Sequence, residues 1–159
     1  MTFSTGREYH MSFIEHNGDV FNTDAEIIAH GVNVKSLMGS GFAKIVSDNY
    51  PSVEKSYMEA CESGELVPGG VQVVQAEEDP HILIANVATQ VNPGADARLE
   101  LIEEGLENLF LYMRENDYST VAMPRIGCGI GGLDWEDVSD ILNEISDNYD
   151  DIHVEVWTL

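Results

Sequence analysis

Short apolar runs alternate with longer amphipathic segments along this chain. The runs are rich in apolar and β-branched residues and predict strands at residues 10–13, 26–30, 70–76, 81–88, 120–124 and 153–158. Apolar residues spaced three and four apart predict helices at residues 41–49, 52–63, 98–116 and 133–146. Strands that alternate with helices are typical of a layered α/β domain.

Two helix starts carry recognisable signals. Asp134 precedes the apolar positions of the last helix and is the expected N-cap, and Pro51 opens the second helix. In the helix at residues 98–116, Leu99 and Ile102 begin an apolar stripe, while glutamates occupy the other side. We therefore expect each helix to cover the sheet with one face.

The chain shows no repeat and no linker, so its 159 residues are expected to form one domain, residues 1–159. Its apolar runs are far shorter than the roughly 20 residues that span a bilayer, and its N-terminus lacks the pattern of a signal peptide. We expect a cytoplasmic protein that binds no membrane. Cys61 and Cys128 match neither a disulfide framework nor a metal-ligand spacing, so we expect reduced thiols and no metal.

The charge is strongly acidic, with 29 Asp and Glu against 7 Lys and Arg and a net charge of −22. Binding to DNA or RNA is not expected, because the electrostatic attraction to phosphates that supplies non-specific affinity has the wrong sign. The same repulsion excludes an anionic membrane surface.

Two glycine-rich segments, residues 31–42 and 124–132, each follow a predicted strand and lead into a helix. Glycines allow backbone N–H groups to face an anion near a helix N-terminus, which favours a phosphate site in a chain with few cations. Neither segment is a P-loop, and the match of residues 127–132 to the dinucleotide fingerprint lacks the βαβ context. Plain turn chemistry remains the alternative.

These segments, with several flanking residues, resemble the macrodomain family. The resemblance rests on Gly18-Asp19-Val20, on Asn33 with Gly39-Ser40-Gly41-Phe42-Ala43, and on Met123-Pro124-Arg125-Ile126-Gly127-Cys128-Gly129 with Leu133-Asp134-Trp135. It covers about residues 18–159 and is strongest for the branch that holds the terminal ADP-ribose protein glycohydrolase and the antitoxins that remove ADP-ribose from DNA. It implies a three-layer α/β/α sandwich with a mixed central sheet and an ADP-ribose cleft at the strand ends.

The resemblance also implies ligand contacts. Asp19 and the Val20 backbone would recognise the adenine, although a plain turn is the alternative for Asp19. Asn33 would face the distal ribose, and Leu159 would lie near the nucleoside. The diphosphate loops would be formed by Gly39, Ser40, Gly41, Phe42, Arg125, Ile126, Gly127, Cys128, Gly129, Ile130 and Gly131.

The chain departs from the branch at its catalytic positions. Gln90 stands where the branch has a lysine, and a neutral amide cannot act as a nucleophile. Gly131 stands where the human enzyme has an aspartate. This leaves Asn33, His30 and Lys35 as catalytic candidates, with Asn33 positioning a water. His30 would titrate near neutral pH unless it is a packed strand residue, and Lys35 would act unless it is solvated.

Cys128 is a further candidate, whose thiol pKa the loop amides would lower unless it is a small turn residue. The sequence thus predicts an ADP-ribose-binding hydrolase that needs no cofactor and acts on a modified acidic side chain, O-acetyl-ADP-ribose or ADP-ribose 1''-phosphate. The alternatives are a non-catalytic ADP-ribose reader and an acidic interaction protein that binds no ADP-ribose. We expect a monomer, and weak or absent activity on DNA-linked ADP-ribose.

Overall fold

The computed structural model describes residues 12–159, in which four α-helices cover one sheet. The strands are β1 (Phe13–Asn17), β2 (Ile27–Val32), β3 (Val71–Gln75), β4 (Leu83–Ala88), β5 (Thr120–Met123) and β6 (His153–Thr158). The helices are α1 (Gly41–Asn49), α2 (Pro51–Ser63), α3 (Leu99–Glu115) and α4 (Trp135–Asp147), and a 3-10 turn spans Val20–Asn22. None of these helices is long and apolar enough to cross a membrane.

The strands are ordered β1-β6-β5-β2-β4-β3 across the sheet. Every neighbouring pair is parallel except β3 and β4, so the sheet is mixed, as predicted. Because β1, β2, β4, β5 and β6 run in one direction, the segments that follow them leave the sheet at the same edge. Loops that follow parallel strands are where ligand sites of α/β folds are found.

Side chains of β2 alternate between two apolar cores on opposite faces of the sheet. Ile27 packs with Leu106 of α3 and Leu142 of α4. Ile28 packs on the other face with Val46 of α1, and α2 covers that same face. The three-layer α/β/α arrangement is therefore confirmed.

The boundaries of all four helices and of five strands lie within two residues of the predicted ones. Pro51 is at the start of α2, and Asp134 is the N-cap residue of α4, although its side chain makes no capping hydrogen bond. Of the first predicted strand, only Phe13 is a strand residue in the part of the chain that the structure describes. Residues 10 and 11 lie outside the described range, and β1 begins at Phe13, where the predicted strand ends. In this edge strand only Phe13 is buried, so the run lacks the alternation that marks a half-buried strand.

Glu26 links the start of β2 to the start of β5 through side-chain hydrogen bonds. Its carboxylate accepts hydrogen bonds from Ser119 N at 2.8 Å, from Thr120 N at 3.1 Å and from Thr120 Oγ1 at 3.1 Å. These bonds, with the Ser119 backbone first, lower the pKa of Glu26. Since the folded pKa is depressed, the stabilisation is complete above the unfolded pKa and is lost as pH falls through the folded pKa.

We therefore expect Glu26→Gln to lower the thermal unfolding midpoint at pH 7 by a few degrees, with the difference shrinking as the pH falls into the acid range. Thermal melts from pH 7 to pH 3 measure this. Glu103→Gln, at an exposed position on α3, makes the same change in net charge and should leave the midpoint unchanged. A Glu26→Gln deficit that persists undiminished at acid pH would contradict this role.

Candidate functional site

The loops that leave the shared edge of the sheet enclose a cleft of about 830 Å³. The segment after β2 leads into α1 and α2 on one face, whereas the segment after β5 leads into α4 on the other face. The loops that follow the neighbouring strands β2 and β5 therefore diverge to opposite faces of the sheet. Such a topological switch point is where α/β sheets form a ligand-binding crevice. The volume falls within the range of roughly 300–1,000 Å³ found for small-molecule sites.

Both glycine-rich segments form walls of this cleft. A Cβ atom on Gly39 or on Gly129 would meet nothing within 4 Å, so both walls are bare backbone at these points. Gly41, with φ +61°, lies under Ile130, whose Cδ1 is 3.0 Å from where a Cβ on Gly41 would be. The two segments thus approach each other across the cleft, and a larger residue at position 41 would displace the Ile130 side chain and strain the backbone at its positive φ.

Every residue predicted to bind ligand lines the cleft. These are Asp19, Val20, Asn33, Gly39, Ser40, Gly41, Phe42, Arg125, Ile126, Gly127, Cys128, Gly129, Ile130, Gly131 and Leu159. Of the catalytic candidates, Asn33 and His30 line it as well. Lys35 does not, and it is exposed.

Aromatic side chains that sequence reasoning missed form part of the cleft wall. Phe21 stacks on Phe42 with ring centroids 5.4 Å apart, next to Asp19 at the start of the 3-10 turn. Trp157 of β6 and Trp135 of α4 also line the cleft. Trp135 carries the family resemblance, but the sequence does not mark it or the others as cleft residues, which only their places at strand ends or at a helix N-terminus could have done.

Asp19 serves the local fold as well as the cleft. Its Oδ1 accepts a hydrogen bond from Phe21 N at 3.0 Å, which caps the 3-10 turn. The turn role that the sequence offers as an alternative is therefore present. The side chain is exposed and lines the cleft, so the second carboxylate oxygen is accessible to a ligand.

The Asn33 side chain is largely occupied within its own loop. Its Oδ1 accepts from Lys35 N at 2.8 Å and lies 2.8 Å from the Tyr57 hydroxyl, and its Nδ2 donates to Leu37 O at 2.8 Å. One Nδ2 hydrogen remains for a ligand or water. The bonds fix this amide in the cleft wall, and the same network uses the backbone of Lys35 rather than its ammonium group.

His30 is 1% exposed at the end of β2, below the Phe42 ring. Its Nε2 lies 2.6 Å from Asn86 Oδ1. Burial away from any charged partner lowers the pKa of His30 to about 4, against the opposing effect of the Asn86 bond. Of the two alternatives for His30, its surroundings therefore support the packed strand residue rather than the group that titrates near neutral pH.

Cys128 and Arg125 occupy the second glycine segment. Burial raises the pKa of the Cys128 thiol to about 11, although nearby Arg125 lowers it. The hypothesis of an activated thiolate was therefore wrong. Arg125 lies over the Trp135 ring at 5.2 Å and within 3.5 Å of the Glu15 carboxylate. It is the only lysine or arginine among the described residues that line the cleft.

Comparison with known proteins identifies this arrangement. The Macro domain family model matches residues 29–142 of the chain. The chain belongs to this family. In the part of the macrodomain that the structure describes, no three histidine, cysteine or acidic side chains cluster closely enough to hold a metal ion.

Several relatives match most of this chain. A DNA ADP-ribosyl glycohydrolase of Mycobacterium tuberculosis is 33% identical over 144 residues, which are 89% of this chain and 40% of that protein. The human ADP-ribose glycohydrolase OARD1 is 28% identical over 145 residues, 89% of this chain and 88% of that protein. The solved macrodomain of M. tuberculosis DarG has a TM-score of 0.86 at 30% identity, covering 94% of this chain and 99% of that one. The chain spans about two fifths of the length of the DNA ADP-ribosyl glycohydrolases that it matches.

Gln90 lines the macrodomain cleft in the loop after β4, but its amide nitrogen faces its own loop. Nε2 donates to Asn92 O at 2.6 Å and to Gly94 O at 2.9 Å, which uses both of its hydrogens. Asp96 braces the same loop by accepting from the backbone N–H groups of Val91 and Asn92. Gln90 is thus a loop brace, with only its carbonyl oxygen left for a ligand.

Gly131 is enclosed on the side where a side chain would project. A Cβ atom there would lie 2.7 Å from Gly127 O and 2.9 Å from Ala97 Cβ, closer than real Cβ atoms approach. Ala97 N also donates to Gly131 O at 3.2 Å. The path of this loop therefore leaves no room for the aspartate that the resemblance implies at this position.

Proposed function

We propose that this macrodomain binds ADP-ribose and hydrolyses it from a modified acidic side chain, from O-acetyl-ADP-ribose or from ADP-ribose 1''-phosphate. The observation that carries the proposal is the cleft walled by two bare glycine segments and one arginine. Such walls suit a diphosphate, which backbone N–H groups can bind without many cations. Relatives named ADP-ribose glycohydrolase and ADP-ribose 1''-phosphate phosphatase support the same ligand.

In the proposed binding mode the adenine lies at Asp19 and the Val20 backbone, where an Asp carboxylate can accept from its amino group. The diphosphate lies between the first segment, Gly39 to Phe42, and the second, Arg125 to Gly131. Asn33 faces the distal ribose, and Leu159 lies near the nucleoside. All these residues line the cleft, which supports the assignment.

The neutral side chains of the cleft suit substrates in which ADP-ribose is linked to a carboxylate or a phosphate. For a carboxylate-linked side chain and for ADP-ribose 1''-phosphate, hydrolysis forms a bond from water oxygen to the anomeric carbon and breaks the bond from that carbon to the carboxylate or phosphate oxygen. Either group leaves as a stable anion, so no acid has to protonate it, and the water proton passes to solvent. This suits a cleft in which His30 is neutral and Cys128 is a protonated thiol. Catalysis would then come from placing the water, with the Asn33 amide as one contact.

A DNA-linked substrate is the less favoured choice, despite relatives named DNA ADP-ribosyl glycohydrolase. The net charge of −22 repels a polyanionic strand, and Arg125 is the only lysine or arginine among the described residues lining the cleft. We propose a protein-linked or small-molecule substrate instead.

A non-catalytic ADP-ribose reader is the second candidate. The observation that favours it is Gln90, which braces a loop at the position of the branch lysine. The reader and the hydrolase share the cleft and differ only in turnover.

The test is to incubate the purified protein with a carboxylate-linked ADP-ribosyl protein, with ADP-ribose 1''-phosphate and with ADP-ribosylated DNA. Released ADP-ribose is measured over time. The hydrolase predicts release from the first or the second substrate and little from DNA, least of all at low salt, where the repulsion between the acidic protein and the strand is strongest. Tight binding without release would establish the reader, and release from DNA alone would overturn the choice of substrate.

Gln90→Lys tests the assignment of the branch lysine position. Lysine is longer than glutamine, so its ammonium group can extend past the Asn92 and Gly94 carbonyls toward the bound ribose. We expect Gln90→Lys to raise the rate of ADP-ribose release. Gln90→Met, of similar length without hydrogen bonds, is the control and should not raise it. A rate for the lysine variant no higher than wild type would mean that position 90 does not reach the scissile bond.

We also propose a cytoplasmic monomer. Cys61 and Cys128 are both free thiols, which suits a reducing compartment.

A further inference from the structure

Three buried side-chain polar atoms in residues 12–159 have no hydrogen-bond partner: His30 Nδ1, Thr89 Oγ1 and Ser146 Oγ. Buried polar groups of native proteins are nearly always paired, so each exception needs an explanation. His30 and Thr89 are each 1% exposed, and both line the cleft. Ser146 belongs to α4 and does not line it. Two of the three exceptions therefore coincide with the proposed ligand site.

A chain of hydrogen bonds fixes which nitrogen of His30 carries the proton. The carbonyl oxygen of Ser56 can only accept, so Gln72 donates to it from Nε2 at 3.0 Å. Gln72 Oε1 then accepts from Asn86 Nδ2 at 3.1 Å, which turns Asn86 Oδ1 toward His30 Nε2 at 2.6 Å. His30 must donate from Nε2, and in the neutral ring Nδ1 carries only a lone pair.

The free edge of His30 faces away from this chain. His30 lines the cleft whereas Asn86 does not, and the bond to Asn86 leaves Nδ1 as the ring nitrogen that is free to meet a ligand. The unpartnered atom is therefore a pure acceptor in a fixed position. An ionised diphosphate has no proton to donate to it, but a sugar hydroxyl does.

Thr89 lies at the end of β4, beside Gly31 of β2. Its backbone N donates to Val32 O at 3.1 Å, and its Oγ1 lies 2.6 Å from where a Cβ on Gly31 would be. The absence of a side chain at Gly31 gives this hydroxyl its place at the floor of the cleft. A threonine hydroxyl both donates and accepts, as a sugar hydroxyl does.

We propose that His30 Nδ1 and Thr89 Oγ1 are two further ligand-binding atoms of the cleft, each hydrogen-bonded to a ribose hydroxyl of the bound nucleotide. This inference rests on the proposed function, since it takes ADP-ribose as the ligand. His30 is then a binding residue of fixed tautomer rather than an acid or base. Asn86 and Gln72 are positioning residues that act through it.

Thr89→Val tests the Thr89 hydroxyl with little change in the shape of the side chain. Replacing an unpaired buried hydroxyl by a methyl group leaves stability unchanged or raises it, so the variant folds. We expect its affinity for ADP-ribose to fall about 3- to 10-fold, the effect of one hydrogen bond. Ser146→Ala is the matched control, because it also removes an unpaired buried hydroxyl but should leave affinity unchanged. An unchanged affinity in Thr89→Val would overturn the assignment of this atom.

His30→Gln tests the Nδ1 atom of His30. Glutamine can still donate to Asn86 from the position of Nε2 but has no acceptor at the position of Nδ1. We expect a similar 3- to 10-fold loss of affinity with the fold retained, as judged by circular dichroism. His81→Gln is the control and should bind as wild type, because exposed His81 lies just before the start of β4 and does not line the cleft. Titrations with ADP, which lacks the distal ribose, locate the hydroxyl, because a loss confined to ADP-ribose assigns it to that ribose.

Nitrogen NMR of histidine-labelled protein reads the tautomer directly. Free wild-type protein should show His30 protonated at Nε2, and addition of ADP-ribose should shift its Nδ1 signal while His81 and His153 stay unchanged. Gln72→Met breaks the chain and should weaken the tautomer preference. A His30 signal protonated at Nδ1, or one that ADP-ribose leaves unmoved, would overturn the inference. If wild-type protein binds no ADP-ribose at all, the proposed function fails first, which is a separate result.

Discussion

Gly129→Glu is expected to abolish measurable binding of ADP-ribose. A Cβ atom at position 129 meets nothing within 4 Å, so the fold accepts a side chain there. The carboxylate would project into the segment proposed to hold the diphosphate. Bringing like charges together in an interface costs several kcal/mol, so the affinity should fall by at least about 100-fold. Isothermal titration calorimetry with ADP-ribose measures the loss.

Two variants at the same position separate size from charge. Gly129→Gln fills the same space without a charge and should weaken binding less than the glutamate does. Gly129→Ala adds one methyl group in open space and should leave the unfolding midpoint unchanged. Undiminished affinity in Gly129→Glu would mean that the ligand binds elsewhere.

Gly131 is expected to behave in the opposite way, with a large loss of stability even for alanine. The methyl group of Gly131→Ala would collide with Gly127 O and Ala97 Cβ, at 2.7 and 2.9 Å. Overpacking of this kind lowers the free energy of unfolding by about 1–3 kcal/mol. Gly131→Asp should be no more stable and should not gain turnover, because the loop has to move before the carboxylate can be placed.

Urea denaturation of the alanine variant measures the change in unfolding free energy. Gly39→Ala is the matched control, since a Cβ at position 39 meets nothing within 4 Å. Equal stability of the two alanine variants would show that the loop around Gly131 has a path different from the one described. Turnover gained by Gly131→Asp would contradict the claim that the backbone excludes this aspartate.

The layered fold could be predicted because its signals are periodic. Helices such as α3 bury one stripe of residues, and the central strands are apolar runs between polar loops. β1 could not be predicted, since an edge strand with one buried residue has no such period. A turn at Asp19 could be offered from the sequence, but not its 3-10 form at Val20–Asn22, which backbone bonds from Asn22 N to Asp19 O and from Thr23 N to Val20 O define.

The outline of the cleft could be predicted from glycines, but not the state of its polar groups. Nothing local in the sequence shows that Gln90 is tied to two carbonyls of its own loop, or that Asn33 bonds Tyr57 from α2. The shifted pKa of His30 depends on burial and on Asn86, which is 56 positions away in the chain. Such properties arise from tertiary contacts, which periodicity does not encode.

Calorimetric titration of the wild-type protein with ADP-ribose tests the central claim most directly. A macrodomain with this cleft predicts saturable binding at one site per chain, which Gly129→Glu removes and Glu103→Gln leaves intact. Absence of saturable binding by the folded wild-type protein would contradict the claim that the two glycine segments form an ADP-ribose site.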